Sequence, residues 1–214
     1  MTPAARYRLA VFDFDGTLAD SFPFFLDSFA VLAREHGFRE ISREQLMALR
    51  GSSAREMMAH TGLAAWKVPR VALAFRRRMA EHAADIRLFP GTDALLRALH
   101  AAGVRIAVLT SNSEDNVRAM LGPALAALVA DYECGVAMFG KRRRLRKVVA
   151  RAGVVHADVL AIGDELRDLD AARANGIAFG AVSWGFTTRE ALAARVPEFL
   201  FDAPGEIARA ILAE

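Results

Sequence analysis

Two spacings of apolar residues divide this chain. Short apolar runs of strand length lie within residues 9–18, 104–110, 132–136, 159–162, 177–183 and 199–201. Between them the apolar positions follow helical spacing. Over 22–36, Phe25, Phe29 and Leu32 fall on one face, and His36-Gly37 closes the helix. Ser42-Arg43-Glu44-Gln45 reads as a capping box that opens a second helix, broken at Arg50-Gly51-Ser52. Ser53 and Glu56 cap a third helix, which ends near Gly62, and a fourth runs over 69–85. From residue 20 to 87 no strand pattern occurs.

Past Leu88-Phe89-Pro90-Gly91 the order changes. Helices over 92–102, 113–122, 141–152 and 166–175 alternate with the strands. One more helix is capped at Thr187-Thr188-Arg189-Glu190, and the last starts at Pro204. This alternation predicts an α/β, Rossmann-like parallel sheet covered by helices on both faces. The predicted core is 1–19 and 88–214, and the four helices of 20–87 form a cap domain inserted into it.

Composition narrows the class. With 214 residues, 54% of them hydrophobic, the chain can bury a sizeable core. Its 28 basic and 25 acidic residues give a net charge of +3, too little to argue for nucleic acid. Cys134 is the single cysteine, which rules out an intrachain disulfide. The first eight residues lack an apolar signal region and no run reaches membrane-spanning length, so a cytoplasmic protein with no membrane partner is expected.

Four stretches carry candidate chemistry. In Asp13-Phe14-Asp15-Gly16-Thr17-Leu18, two carboxylates two residues apart leave the end of a strand on one side. Like charges so placed call for a cation or a shared proton, which suits a metal site or acid–base work. Gly16 permits a tight reversal, and Thr17 offers a hydroxyl and an amide at the same point. Thr110-Ser111-Asn112 closes a strand just before a helix start, an arrangement that serves either as an N-cap or as an anion site. In the basic run Lys141-Arg142-Arg143-Arg144-Leu145-Arg146-Lys147, Arg143, Arg144 and Lys147 read as a solvated helix face; a nucleic-acid patch there lacks interleaved aromatics. Gly163-Asp164-Glu165-Leu166-Arg167-Asp168 ends a buried strand and opens a helix with two aspartates four apart, a placement the helix dipole also favours. The five histidines show no metal-ligand spacing, and Trp66 and Trp184 read as packing residues.

The first of these stretches resembles the opening motif of the haloacid dehalogenase superfamily, in its phosphoglycolate-phosphatase-like branch. The other three resemble its later motifs, in the family's order. The resemblance implies a magnesium-dependent phosphatase acting on a small phosphorylated metabolite. Asp13 would attack phosphorus, and Asp15 would act as acid and then base. Ser111 and Lys141 would stabilise the transferring group, with Gly16, Thr17 and Asn112 as further phosphate contacts. Asp13, Asp15 (through its carbonyl), Asp164 and Asp168 would make up the magnesium site, Asp168 through metal-bound water or the lysine. Many relatives carry a proline after the lysine, which this chain does not. The cap would close over the site, and its loop at Arg50 and Ser52, with Arg55 a turn further on, would read the leaving group. A dehalogenase is disfavoured, because carbon–halogen cleavage needs no acid such as Asp15. A phosphomutase and a non-enzymatic nucleic-acid-binding module are the alternatives. Phosphoglycolate, a sugar phosphate, a nucleotide and pyrophosphate all remain open as substrates. The expected partner is the small substrate alone, with no nucleic acid, for a protein acting as a monomer or homodimer.

Overall fold

The structure, a computed structural model, describes residues 5–52, 54–136 and 140–213. Its strands are β1 (Leu9–Phe12), β2 (Arg105–Leu109), β3 (Val129–Glu133), β4 (Val159–Gly163), β5 (Ala178–Val182) and β6 (Phe199–Phe201). They form one parallel sheet in the order 3-2-1-4-5-6. The helices are α1 (Phe22–His36), α2 (Arg43–Ala48), α3 (Ala54–Thr61), α4 (Val68–Glu81), α5 (Thr92–Ala101), α6 (Glu114–Ala126), α7 (Lys141–Ala152), α8 (Leu166–Arg173), α9 (Arg189–Ala193) and α10 (Pro204–Leu212).

The central strands are apolar except at Arg105, the exposed first residue of β2, because helices cover both faces. Ala10 and Phe12 of β1, with Ile106, Val108, Leu160 and Ile162, pack against α5, α6 and α10. Leu9 and Val11, with Ala107, Leu109, Val159 and Ala161, pack against α7, α8 and α9. Alternate residues of each strand thus enter opposite layers. Helices α1 to α4 lie between β1 and α5 in the chain. Leu26, Phe29, Ala33 and Leu46 make a small core of their own there, while Met79 of α4 joins the larger core beside the sheet.

Sheet order places the functional end. β1 lies between β2 and β4, and the chain adds strands first on one side of β1 and then on the other. That reversal opens a crevice at the carboxyl ends of these strands. Phe12 pairs with Ile162 and with Val108, so the residues that follow β1, β2 and β4 emerge side by side.

Several boundaries differ from the sequence reading. β3 starts at Val129 rather than at 132, because Asp131 and Glu133 interrupt its apolar pattern. Those carboxylates are held by Arg151 and Arg144 of α7, ion pairs between distant segments. α6 runs past the expected stop at Gly122. Gly122 leaves the helical region at φ 69°, and helix resumes through Pro123 to Ala126. α4 ends at Glu81, short of 85. Thr188, not Thr187, caps α9, its hydroxyl accepting from the Ala191 amide. The capping box at Ser42 and Gln45 forms. The expected cap at Ser53 lies outside the described residues. Trp66 is 76% exposed, so it is not a packing residue.

Candidate active site

β1 ends at Phe12, and the next residues fold into a tight reversal. The Gly16 amide donates to the Ala19 carbonyl and the Leu18 amide to the Phe14 carbonyl. Gly16 sits at φ 77°, and a Cβ there would lie 2.3 Å from Asp164 Oδ2 and 2.5 Å from the Phe186 ring. Only glycine meets both demands. The reversal turns Asp13 and Asp15 into the crevice on different neighbours.

Asp13 is buried, and its Oδ1 accepts from the Phe14 amide at 2.8 Å. Its Oδ2 lies 2.6 Å from Lys141 Nζ. Lys141 is the first residue of α7, so a buried ammonium reaches the strand ends while its neighbour Arg142 faces solvent. The same Nζ pairs with Asp168 of α8. Burial works against charge on Lys141, but Asp13 and Asp168 outweigh it and raise its pKa.

Asp164 follows β4 and is fully buried. The Thr17 hydroxyl donates to its Oδ1 at 2.8 Å and the Phe186 amide to its Oδ2 at 2.7 Å. The pKa of Asp164 is well above the carboxylate range, through burial first and then the charges of Glu165, Asp13 and Asp168. That of Asp168 is raised to about 7, chiefly by burial, against the lowering effect of Lys141.

Carboxylate oxygens of Asp13, Asp164 and Asp168 come within 4.8 Å of one another. Asp13 and Asp168 share one ammonium while Asp164 is held by uncharged donors, which leaves the cluster short of positive charge. Hard oxygen donors at this density suit a small divalent cation such as magnesium. The residues present therefore fit that metal.

Asp15 faces the other way. Its Oδ2 accepts from Asn112 Nδ2 at 3.0 Å, and its Oδ1 is buried without a hydrogen-bond partner among the described residues. Burial, then the neighbouring Asp13, raises its pKa to about 7, although Ser21, Asn112 and Lys141 pull it down. A carboxyl group near 7 with a free oxygen can give and take a proton at neutral pH.

The sequence candidates thus separate by position. Asp13, Asp164, Asp168 and Lys141 converge, and the Asp15 carboxylate stands outside their cluster. Thr17 is committed to Asp164. Asn112 is committed to Asp15. Ser111 is half-buried at the end of β2, its carbonyl accepting from Arg76 Nη1 at 2.9 Å. Arg50 reaches the crevice, but its guanidinium donates to the carbonyls of Gly185 and Phe186 and lies over the Phe22 ring. Ser52 is half-buried, and its amide donates to the Leu49 carbonyl. Glu165 pairs with Arg167 at 2.6 Å.

Sequence reading missed the segment after β5. Trp184 Nε1 donates to the Thr17 carbonyl at 3.1 Å, and the Phe186 amide holds Asp164. A Cβ on Gly185 would lie 2.3 Å from the Asp164 Cβ. Phe186 is seated against Phe22 and Phe25 of α1, at ring-centroid distances of 5.0 and 5.7 Å. A glycine between two aromatics just past a strand was the only local signal.

Comparison with known proteins gives a consistent picture. A family model described as haloacid dehalogenase-like hydrolase matches residues 10–182. A phosphoglycolate phosphatase from Synechococcus elongatus is 35% identical over 202 residues, covering 94% of this chain and 95% of the relative. A phosphoglycolate phosphatase from Xanthomonas campestris is 31% identical over 193 residues, covering 84% of each. Among solved structures, a haloacid dehalogenase-like family hydrolase from Streptococcus pneumoniae superposes with a TM-score of 0.77 at 20% identity, covering 94% of this chain and 97% of that one. CbbY from Rhodobacter sphaeroides, in complex with phosphate, gives 0.74 at 23% identity, covering 94% and 96%. At these identities the structural matches speak for the fold alone.

Proposed function

Because this chain belongs to the haloacid dehalogenase-like hydrolases, and is a phosphatase of their phosphoglycolate-phosphatase type, we propose that it hydrolyses a small phosphorylated carboxylate of the phosphoglycolate kind through a phosphoaspartate. The observation that carries this reading is the division of labour between Asp13 and Asp15. Asp13 is paired with Lys141 inside the carboxylate cluster, whereas Asp15 holds a proton-accepting oxygen free outside it.

In the first step an Asp13 oxygen bonds to phosphorus as the ester oxygen leaves. Asp15, protonated at that stage, delivers its proton to the departing alkoxide. In the second step Asp15, now ionised, takes a proton from water as the water oxygen attacks phosphorus and Asp13 departs. A pKa of about 7 suits one group to both roles. Lys141 offsets negative charge on the transferring group, and the Ser111 hydroxyl adds a hydrogen bond to it. Asp13, Asp164 and the Asp15 carbonyl, with Asp168 behind them, would hold magnesium, which when bound would supply the positive charge that lets an anionic nucleophile approach an anionic ester. Thr17 and the Phe186 amide hold Asp164 in place for that ion.

On this reading α1 to α4 form a cap, and residues 1–19 and 88–214 form the core. The cap meets the core at Arg50, which binds the carbonyls of the loop that secures Asp164. A phosphomutase uses the same aspartates, and transfer of the phosphoryl group to a second substrate hydroxyl instead of water would identify one. The test is phosphate release from phosphoglycolate with magnesium present or chelated. Release that depends on the metal supports the reading, and undiminished release in chelator contradicts it.

A further inference from the structure

Asn116 and Asn112 form a hydrogen-bonded chain that ends on Asp15. Both are buried, at 2% and 3% exposure. Asn112 Nδ2 donates to Asp15 Oδ2 at 3.0 Å and makes a weaker contact with Met79 Sδ at 3.7 Å. Asn112 Oδ1 accepts from the Ser113 amide at 2.8 Å and from Asn116 Nδ2 at 2.9 Å. The second hydrogen of Asn116 Nδ2 goes to the Arg76 carbonyl at 2.9 Å. Every donor and acceptor position of the Asn112 side-chain amide is therefore filled in one orientation. Turning that amide over would set its oxygen against the Asp15 carboxylate and its NH2 against two other donors.

We propose that Asn116 is a positioning residue for Asp15, acting through Asn112, and that α4 of the inserted helices completes the arrangement. Asn116 has no contact with Asp15 itself. It supplies one of the two donors that fix the polarity of the Asn112 amide, and the Ser113 amide alone remains when it is lost. α4 contributes from three points: the Arg76 carbonyl that orients Asn116, the Arg76 guanidinium that holds the Ser111 carbonyl, and the Met79 sulfur beside Asn112. The inserted helices thus brace the acid–base group of the core, which is a role separate from reading the substrate.

The inference rests on Asp15 being the general acid, and the leaving group makes it testable. A glycolate alkoxide needs a proton as it departs, whereas 4-nitrophenolate leaves well without one. kcat/KM reports steps up to formation of the phosphoaspartate, so it isolates this proton transfer from the later hydrolysis. Asn116→Asp is nearly isosteric and exchanges the donor for an acceptor. It places a carboxylate in the first turn of α6, where the helix dipole offsets part of the cost of burying it, and its melting temperature shows whether the fold is kept. Asn116→Ala is the second variant, and the melting temperature of each is compared with wild type.

Both variants should lose about tenfold or more in kcat/KM for phosphoglycolate and no more than about twofold for 4-nitrophenyl phosphate. Equal losses on the two esters would reduce Asn116 to a structural role and overturn the proposal, as would no loss on either. Asp15→Asn run alongside should show the same preference, more strongly. If it does and the Asn116 variants do not, the positioning role alone fails. If Asp15→Asn shows no dependence on the leaving group, the acid–base reading fails first and takes the proposal with it.

Discussion

Asp13 and Asp15 are two residues apart, yet they meet different surroundings. Asp13 enters a cluster with one shared ammonium, whereas Asp15 accepts from the Asn112 amide on one oxygen and has its other oxygen buried without a hydrogen-bond partner among the described residues. Asp13→Asn should abolish phosphoenzyme, whereas Asp15→Asn should still label with 4-nitrophenyl phosphate and lose about 10²–10⁴-fold in turnover. Acid-quenched labelling distinguishes the two, and label on Asp13→Asn would refute the nucleophile assignment. Gly185 makes a second point at this scale. Its Cβ would lie 2.3 Å from the Asp164 Cβ and 2.4 Å from the Gly16 carbonyl, both parts of the site that cannot easily yield. Gly185→Ala should therefore weaken magnesium activation by about tenfold or more with the fold intact, since it displaces the support of a ligand rather than the ligand. Titration of activity with magnesium measures this, and an unchanged midpoint would count against the segment's role.

Elements explain why some of this was legible in the sequence. Each of the four motifs closes a strand or opens a helix, so its residues are local in the chain and its placement follows from the element. The Asp13 reversal, the start of α7 at Lys141 and the turn from β4 into α8 were visible for that reason. The extent of β3 was not visible, because Asp131 and Glu133 become tolerable only once Arg144 and Arg151 of α7 are beside them. The Trp184–Phe186 segment, Asn116 and Arg76 escaped notice for the same reason: their partners lie between 4 and 167 residues away, and their own neighbours signal nothing. Arg50 is a mixed case. Its loop was expected to face the core and does, but two of its guanidinium nitrogens are spent on the Gly185 and Phe186 carbonyls. Arg50→Met should accordingly lower kcat/KM for phosphoglycolate and 4-nitrophenyl phosphate by similar factors, of about ten- to a hundredfold, by loosening the loop behind Asp164. A loss confined to phosphoglycolate would show instead that Arg50 reads the leaving group.

At the scale of the whole molecule, the sheet order gathers four carboxylates into one crevice, and stability carries the cost. Asp15 and Asp168 are raised to about 7 from 3.8, and Asp164 is raised as well. The folded state therefore binds more protons than the unfolded chain between those values, and stability from these groups falls as pH rises through that window. In chelator, the melting temperature should rise as pH is lowered from about 8 to about 5. Magnesium should stabilise the protein more at the upper pH, where protons no longer compete for the carboxylates. An equal magnesium shift at both pH values would contradict the assigned cluster. The central claim, that Asp13 carries the phosphoryl group in a metal-dependent reaction, has a direct measurement. The protein is mixed with phosphoglycolate, quenched in acid within a turnover, digested, and the peptide bearing Asp13 is weighed by mass spectrometry. The account predicts the added mass of one phosphoryl group on that peptide with magnesium and none in chelator. Phosphate release with no such adduct at any quench time, or an adduct on another residue, would contradict it.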